Sequence, residues 1–473
     1  MNRLLPTAFV LLLVLCIPAG IAHASTRPAA DRPNFVIVVA EGLSWAGTSV
    51  AMDPAHAESR SAFAVTPNLE RLAASGIRFT DGYAASPRCT PSRAALLTGV
   101  SPAKLGMTFV GRGRNNRVAA DVRLIPPTFT SELPQSTTTY AEILRDHGYA
   151  TAHFGKWHLG RVAPDAHGFD THDGPNDNSG PLGEDHPGRS QVPATTQLGI
   201  AFIEQCVDAD EPFALHIDHY HAARDGDAQL ATLEQWQDRR GVSRRERGGL
   251  AALQDVDAAL GELLDTLDRL GLADNTYVIF TADHGSPGQR TNAPLRGGKG
   301  SVYEGGIRVP FVIAGPTTDA GGISQVPVIG MDILPTVLEL AAANPPKHDI
   351  DGMSLAPLLR HPTKTPNPDR KLVFHFPHYD GDPDGPATAL RQGRLKLVYH
   401  YATDRSQLFD LMADPEETRD LSTTDPATTS RMQKHLVESL QKLDARLPEP
   451  NPNYDPNTPT APQPREARRN RRR

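Results

Sequence analysis

Short apolar runs that stop abruptly at polar residues recur along the chain. Each is five or six residues long and rich in β-branched side chains, which is typical of strands buried on both faces of a sheet. The runs cover residues 35–40, 149–154, 213–217, 277–282 and 309–314. The first four end at Glu41, Gly155-Lys156, Asp218-His219 and Asp283-His284.

Amphipathic helical patterns lie between these runs. Helices are predicted to begin within 66–72 and 139–144, and a longer one covers 249–270, with leucines at helical spacing. Alternating strands and helices predict an α/β fold with a large, mostly parallel sheet covered by helices. Because ligands bind beyond the carboxyl ends of the strands in such sheets, the polar residues found there are the first candidates for chemistry.

A second region is predicted to begin near residue 366. Runs 371–375 and 395–400 have the pattern of strands, and 430–443 has that of a closing helix, so we expect a small C-terminal α+β subdomain over 366–446. Residues 447–473 are rich in Pro, Asn and Thr and end in an arginine-rich sequence, which predicts a disordered tail. This tail is either simply solvated or an electrostatic tether to an anionic envelope or substrate.

Composition narrows the class of protein. The 473 residues are 39% hydrophobic with a formal net charge of −7, which suits a globular enzyme and gives no reason to expect a nucleic-acid partner. Apart from the N-terminus, no apolar run approaches the ~18 residues that a membrane span needs. We therefore expect no stable membrane span.

The N-terminus has the pattern of a secretory signal peptide over 1–24. Arg3 supplies the positive charge, 8–17 the apolar core, and Ala22-His23-Ala24 a cleavage site, with an N-terminal membrane anchor as the alternative. We expect an exported protein, periplasmic or secreted. The mature chain would keep only Cys89 and Cys206, too few for a disulfide framework.

The densest chemical signal is the segment 89–99. Pro91 suits a first helical turn, 94–97 are strong helix formers, and Gly99 suits the end of the helix. Cys89 would then lie at a helix N-terminus that favours an anion, and Arg93 would share its face and could bind a tetrahedral oxyanion. The pattern predicts an anion pocket with a low-pKa thiol; the alternative is a small buried cysteine.

The spacing of Cys89, Pro91 and Arg93, Cys-x-Pro-x-Arg, resembles the signature of the sulfatase family, in which the cysteine is oxidised to a formylglycine aldehyde. Other segments similar to that family follow in order at 32–34, 66–73, 76–80, 155–160, 167–170, 280–285, 298–310, 351–355 and 408–411. The resemblance covers about 32–445. It implies an alkaline-phosphatase-like fold, with the catalytic domain over 32–365.

The resemblance also implies catalytic roles. Lys156 and Lys299 would bind the sulfate oxygens, and His158 would hydrogen-bond the hydrated aldehyde and help take its proton. A histidine just beyond the 213–217 strand would be the general acid, and we favour His221 over His219.

Three residues are expected to bind substrate. They are His219, if it is not the acid; Asn178, in a glycine-bounded turn; and His378, in a segment that resembles one reaching the pocket of glycan and aryl sulfatases. Each is equally compatible with a structural role.

The expected metal site departs from the family pattern. Two adjacent acids normally follow the first strand, but here the residues are Glu41 and Gly42. The remaining implied ligands are Asp283, His284 and an oxygen of the modified Cys89. One divalent cation is expected, Ca²⁺ first, with Mg²⁺ and Mn²⁺ as alternatives, since losing a carboxylate weakens binding of a hard cation.

The resulting hypothesis is a sulfuric-ester hydrolase that releases inorganic sulfate from a sulfated carbohydrate or aryl ester. Its partners would be that substrate and a formylglycine-generating enzyme. Two alternatives stay open: a phosphodiester or phosphonate monoester hydrolase with the same nucleophile, and a catalytically silent protein that binds sulfated glycans, which the Glu41-Gly42 departure motivates.

Overall fold

The structure is a computed structural model that describes residues 32–110, 122–177, 191–220, 228–287, 289–364 and 367–458. The predicted signal peptide and the candidates Asn178 and His221 lie outside these ranges. Within them, no helix combines the length and the apolar character needed to cross a bilayer.

In the described part of the chain, sixteen strands are assigned. They are β1 (Asn34–Ala40), β2 (Gly76–Phe79), β3 (Gly82–Tyr83), β4 (Leu124–Ile125), β5 (Ala150–Gly155), β6 (Thr171–His172), β7 (Phe213–His219), β8 (Thr276–Ala282), β9 (Phe311–Ala314), β10 (Gly322–Ser324), β11 (Val328–Ile329), β12 (Lys371–Phe376), β13 (Ala387–Gln392), β14 (Leu395–His400), β15 (Arg405–Asp410) and β16 (Glu449–Pro450).

The helices vary from one turn to seven. They are α1 (Pro67–Ser75), α2 (Cys89–Thr98), α3 (Pro102–Leu105), α4 (Tyr140–Asp146), α5 (Val192–Ala209), α6 (Leu230–Trp236), α7 (Arg244–Arg269), α8 (Gln289–Asn292), α9 (Glu304–Ile307), α10 (Ile333–Leu340), α11 (Ala356–Arg360) and α12 (Pro426–Lys442). Short 3₁₀ turns cover Ala57–Ser59, Pro164–His167, Ala273–Asn275 and Gly330–Asp332.

Eight strands form the central sheet, in the order β10-β2-β9-β8-β1-β7-β5-β6. The inner strands β8, β1, β7 and β5 run parallel, whereas β9 runs antiparallel to both of its neighbours. The predicted large, mostly parallel sheet is thereby confirmed. The apolar pattern of β9 matches that of the parallel strands, because burial fixes which residues are apolar and not which way a strand runs.

Both faces of the sheet are covered by helices. Alternate residues of β1 enter different cores: Val36 and Val38 pack with leucines of α7, while Phe35 and Ile37 pack with α2, α4 and α10. In register, Ala40 lies opposite His219 on β7 and Ala282 on β8. The polar residues that follow these three strands therefore emerge at one edge of the sheet.

The C-terminal region is a small α+β unit, as predicted. Strands β12 to β15 form an antiparallel meander. Leu390, Leu397 and Leu408 on one face pack against Met432 and Leu436 of α12. The other face packs against the main domain near Tyr83 and Tyr303, so the two units share a core.

The predicted disordered tail needs correction at its start. Residues 447–458 are part of the described structure, and Glu449–Pro450 pairs antiparallel with Leu124–Ile125. Asn451 is buried, and its side chain donates to the carbonyl of Val122 at 2.8 Å. A segment with too few apolar residues for a core of its own is held here by backbone pairing to another segment.

Candidate active site

Cys89 is the first residue of α2, as the sequence predicted. The preceding Arg88 is extended, and α2 is buried along its full length before it ends at Gly99. The free backbone N–H groups of a helix's first turn favour a negative group there. The local sequence thus places Cys89 at the electropositive end of a buried helix.

Among the described residues, polar side chains from several elements surround the Cys89 sulfur. His284 Nε2 lies 3.1 Å from Sγ, Lys299 Nζ 3.3 Å, Lys156 Nζ 3.8 Å and Glu41 Oε1 3.9 Å. Glu41, Lys156 and His284 come from the ends of β1, β5 and β8, and Lys299 comes from a loop. The sheet edge brings together residues that are far apart in sequence.

These neighbours stabilise a negative charge on Cys89. Burial alone would raise the pKa of the thiol, but Lys156, His284 and Lys299 outweigh it and hold the pKa well below its usual range. A hydrogen bond with the side chain of His158 lowers the pKa further. The site is therefore an anion pocket, as predicted from the sequence.

Glu41 offsets part of the positive charge. Its Oε1 lies 2.7 Å from Lys156 Nζ and 3.5 Å from Lys299 Nζ. Burial would raise the pKa of Glu41, but the two ammonium groups outweigh it and lower the pKa to about 2. The carboxylate is ionised at any physiological pH and keeps both lysines directed at the pocket.

Arg93 has a different role from the one that the sequence suggested. Its Nη1 lies 2.6 Å from Asp218 Oδ1 and donates to the carbonyl of Lys156 at 2.6 Å, while Nη2 donates to Asp283 Oδ2 at 3.1 Å. The expectation that Arg93 binds an oxyanion is corrected, because its guanidinium is bound by two carboxylates and a backbone carbonyl. Arg93 positions the strand ends around Cys89.

Asp218 was missed as a site residue. Like Glu41 and Asp283, it lies at the carboxyl end of a strand of the central sheet. This position in the sequence could have indicated it as a site residue. Its Oδ2 lies 3.0 Å from His153 Nε2 and 3.2 Å from His216 Nε2, and the hydroxyl of Tyr140 contacts His216 Nδ1 at 2.5 Å. Burial would raise the pKa of Asp218, but Arg93 and His216 hold it well below its usual range.

Gly42 and His284 fit each other sterically. Gly42 has φ +64°, and a Cβ there would lie 3.3 Å from His284 Cε1. Its backbone N–H donates to Asp283 Oδ1 at 2.9 Å. A side chain at position 42 would therefore crowd the ring of His284, and aspartate there would also strain the backbone because φ is positive.

The residues that could hold a cation are those that the sequence indicated. Ligand atoms of Glu41, Cys89 and His284 lie within 4.8 Å of one another, and Asp283 Oδ1 lies 3.4 Å from His284 Nε2. His284 Nδ1 is 2.9 Å from the carbonyl of Gly285, so a neutral ring presents its Nε2 lone pair to the pocket. Two carboxylates and an imidazole fit one divalent cation.

Two of the predicted substrate-binding residues can be located. His219 is fully buried beneath this edge; neither ring nitrogen has a partner among the described residues, and burial lowers its pKa to about 4. His378 is bonded to Thr108 Oγ1 at 2.8 Å and packed against Phe109 and Phe376. The expectation that His378 binds substrate stays a prediction; in this structure its Nε2 is engaged within an aromatic cluster.

Comparison with known proteins shows the family. The family model described as Sulfatase matches residues 33–343, and the one described as N-sulphoglucosamine sulphohydrolase, C-terminal, matches residues 298–446. The chain belongs to the sulfatase family and is a sulfatase-type enzyme.

Two curated relatives give the same result. The chain is 33% identical over 449 residues to arylsulfatase A of Homo sapiens, covering 85% of this chain and 80% of the relative. It is 32% identical over 410 residues to N-acetylgalactosamine-6-sulfatase of Canis lupus familiaris, covering 78% and 72%.

Solved structures share the fold. Ps i-CgsB superposes with a TM-score of 0.72 at 24% identity, covering 90% of this chain and 95% of the other. The phosphonate monoester hydrolase of Agrobacterium radiobacter superposes with a TM-score of 0.61 at 19% identity, covering 87% and 96%. At these identities the similarity establishes the architecture alone.

The lowered pKa of Cys89 predicts a thiolate in protein made without conversion of the cysteine. The ultraviolet absorbance of the thiolate should be present at neutral pH and disappear only on acidification, because the pocket favours the charged form. Lys299→Gln should raise the pH at which it disappears. Cys206→Ala is the control and should change nothing, since burial raises the pKa of Cys206 to about 12. A Cys89 thiol that ionises only in alkali would contradict this account.

The buried Arg93–Asp218 pair predicts a large effect of Asp218→Asn. Removing one member of a buried pair typically costs about 3–5 kcal/mol, and the misplaced Arg93 should also lower kcat more than it changes KM. Urea unfolding and steady-state kinetics would measure both. The matched control is Asp265→Asn, which removes the carboxylate of an exposed Arg71–Asp265 pair and should cost under about 1 kcal/mol. Equal effects of the two substitutions would refute the role given to Arg93.

Proposed function

We propose that this sulfatase hydrolyses a sulfated carbohydrate or aryl ester and releases inorganic sulfate, using a formylglycine derived from Cys89. The observation that carries the proposal is the position of Cys89 at the N-terminus of α2 with Lys156 and Lys299 within 3.8 Å of its sulfur. In the unmodified chain, Sγ stands for the oxygens that a hydrated aldehyde would carry.

The proposed reaction has two steps. One hydroxyl of the hydrate loses its proton and attacks sulfur, the bond from sulfur to the ester oxygen breaks, and the leaving oxygen takes a proton. The second hydroxyl then loses its proton, the bond from the hydrate carbon to the sulfated oxygen breaks, and sulfate leaves as the aldehyde re-forms. Water then adds to the aldehyde and restores the hydrate. A thiol or alcohol nucleophile would lack this release step, which is why the modification suits the chemistry.

We assign roles in these steps to four residues. Lys156 and Lys299 bind the sulfate oxygens and stabilise their charge in the transition state. His158 hydrogen-bonds the hydrate and takes its proton. His221 protonates the leaving oxygen, a role that His219 fills less well, because burial lowers its pKa to about 4 and keeps its ring neutral.

We also propose one divalent cation bound by Glu41, Asp283, His284 and an oxygen of the modified Cys89. When bound, it would supply positive charge to orient the nucleophile and the sulfate group. Ca²⁺ is the ion expected from the family, and the imidazole and two carboxylates also suit Mg²⁺ or Mn²⁺.

Two further parts of the proposal concern maturation. The pattern of residues 1–24 supports export to the periplasm or the medium. Conversion of Cys89 would require a formylglycine-generating enzyme acting on the chain. We assign 32–365 to the catalytic domain and 366–446 to the C-terminal subdomain.

A second candidate function is hydrolysis of phosphodiesters or phosphonate monoesters by the same nucleophile. The feature that favours it is the single acid after β1, Glu41 followed by Gly42, next to a histidine at 284. These substrates carry the same single negative charge as a sulfate monoester, so the same lysines and helix N-terminus would bind them. The assay below separates the two.

The proposed nucleophile predicts a specific mass change. Peptide mass spectrometry across Cys89, on protein made with the modifying enzyme, should show an aldehyde in place of the thiol. That protein should cleave aryl sulfates faster than aryl phosphodiesters, and Cys89→Ala should abolish both activities. Cys206→Ala should retain them. A retained thiol with full activity would refute the mechanism, preference for the diester would favour the second function, and an aldehyde without any turnover would point to glycan binding alone.

The assignment of the general acid predicts a dependence on the leaving group. His221→Ala should slow hydrolysis of alkyl or carbohydrate sulfates by about 10² or more, because a poor leaving group needs a proton. Hydrolysis of a nitrophenyl sulfate should fall far less, since nitrophenolate leaves without one. His219→Ala is the comparison. If His219→Ala shows the leaving-group dependence and His221→Ala does not, the assignment is reversed.

A further inference from the structure

A second group of potential ligands lies where the C-terminal sheet meets the loop that carries Lys299. Oxygen or nitrogen atoms of Asp382, Asp384 and His400 lie within 4.8 Å of one another. His400 ends β14, and both aspartates lie in the connection between β12 and β13. Asp382 Oδ2 accepts a hydrogen bond from Ser301 Oγ at 3.0 Å, two residues beyond Lys299.

His400 contributes a nitrogen that the surrounding protein leaves unused. The residue is 1% exposed, and its Nε2 lies 3.0 Å from the hydroxyl of Tyr303 and 3.3 Å from Gln407 Oε1. Its Nδ1 is buried and has no hydrogen-bond partner within the described ranges. Leaving a buried polar atom unpaired costs about 1–3 kcal/mol, so a ligand that used Nδ1 would be stabilised there.

Neither aspartate forms an ion pair with a lysine or arginine of the described residues. Asp382 is 6% exposed, and besides Ser301 it accepts only the backbone N–H of Asp384. No lysine or arginine in the described chain lies within 4.0 Å of either carboxylate.

We propose that Asp382, Asp384 and His400 bind a second divalent cation, distinct from the one proposed at Cys89. Carboxylate and imidazole ligands together favour Mn²⁺ or Zn²⁺ over Ca²⁺. The ion would neutralise both carboxylates and give Nδ1 of His400 a partner. Through Ser301 it would fasten the Lys299 loop to the C-terminal sheet.

The test counts bound ions and does not depend on activity. Full-length protein is stripped with a chelator, dialysed against Mn²⁺ or Zn²⁺ alone, and analysed by mass spectrometry for metal per chain. Asp382→Asn with Asp384→Asn, and separately His400→Gln, should each lose about one ion relative to wild type. Glutamine keeps a group near the position of Nε2 while removing Nδ1, which makes it the milder variant. Asp369→Asn, an exposed acid in the same subdomain, is the matched control and should lose none.

Further variants separate this site from the catalytic one. His284→Ala should remove an ion only at the Cys89 site, so the losses from His284→Ala and His400→Gln should add in the double variant. In protein loaded with Co²⁺ alone, the visible absorption of the bound ion should differ between wild type and His400→Gln, even if little metal binds in total. Equal metal content in wild type, His400→Gln and the double aspartate variant would overturn the proposal, as would loss of all bound metal in His284→Ala.

Discussion

The buried guanidinium of Arg93 is the interaction on which the site depends. It joins α2 to the ends of three strands, through Asp218 near the end of β7, Asp283 after β8 and the carbonyl of Lys156 after β5. A buried charge of this kind is tolerated only when opposite charges and hydrogen bonds surround it. Arg93 therefore fixes the distance between Cys89 and the strand ends, and a helix slightly displaced would leave a charge unpaired.

Around Cys89 the charges follow a simple arrangement. The helix N-terminus, Lys156 and Lys299 favour a negative group, and Glu41 limits the excess of positive charge that two lysines would create. Asp218 lies farther from Cys89, on the other side of Arg93. There it neutralises Arg93 and aligns two buried histidines. The pocket accepts an anion because its positive groups point inward while their balancing carboxylates lie at the side or behind.

The C-terminal subdomain takes part in this arrangement through the segment before α2 and the Lys299 loop. Asp380 pairs with Arg88, the residue before Cys89. Gly300 has φ +89°, and a Cβ there would lie 2.5 Å from Asp380 Oδ2. The backbone N–H of Gly300 also donates to the carbonyl of Pro87 at 3.0 Å. The Lys299 loop is thus held between the segment before α2 and the C-terminal sheet, which gives one lysine a defined position.

The sequence by itself determined the sheet, its helical cover and the small C-terminal unit, because burial on both faces imposes apolar runs that local composition reveals. It also determined the helix that begins at Cys89 and the cluster of Glu41, Lys156, Asp283 and His284, since parallel strands end at one edge. Only the tertiary structure decided that Arg93 forms ion pairs with Asp218 and Asp283, that β9 runs antiparallel, and that residues near 450 pair with the segment near 125. It also decided that His378 packs among aromatic rings. These outcomes depend on which charged and hydrogen-bonding groups become neighbours after folding, and the pattern along the chain does not encode partners so distant in sequence.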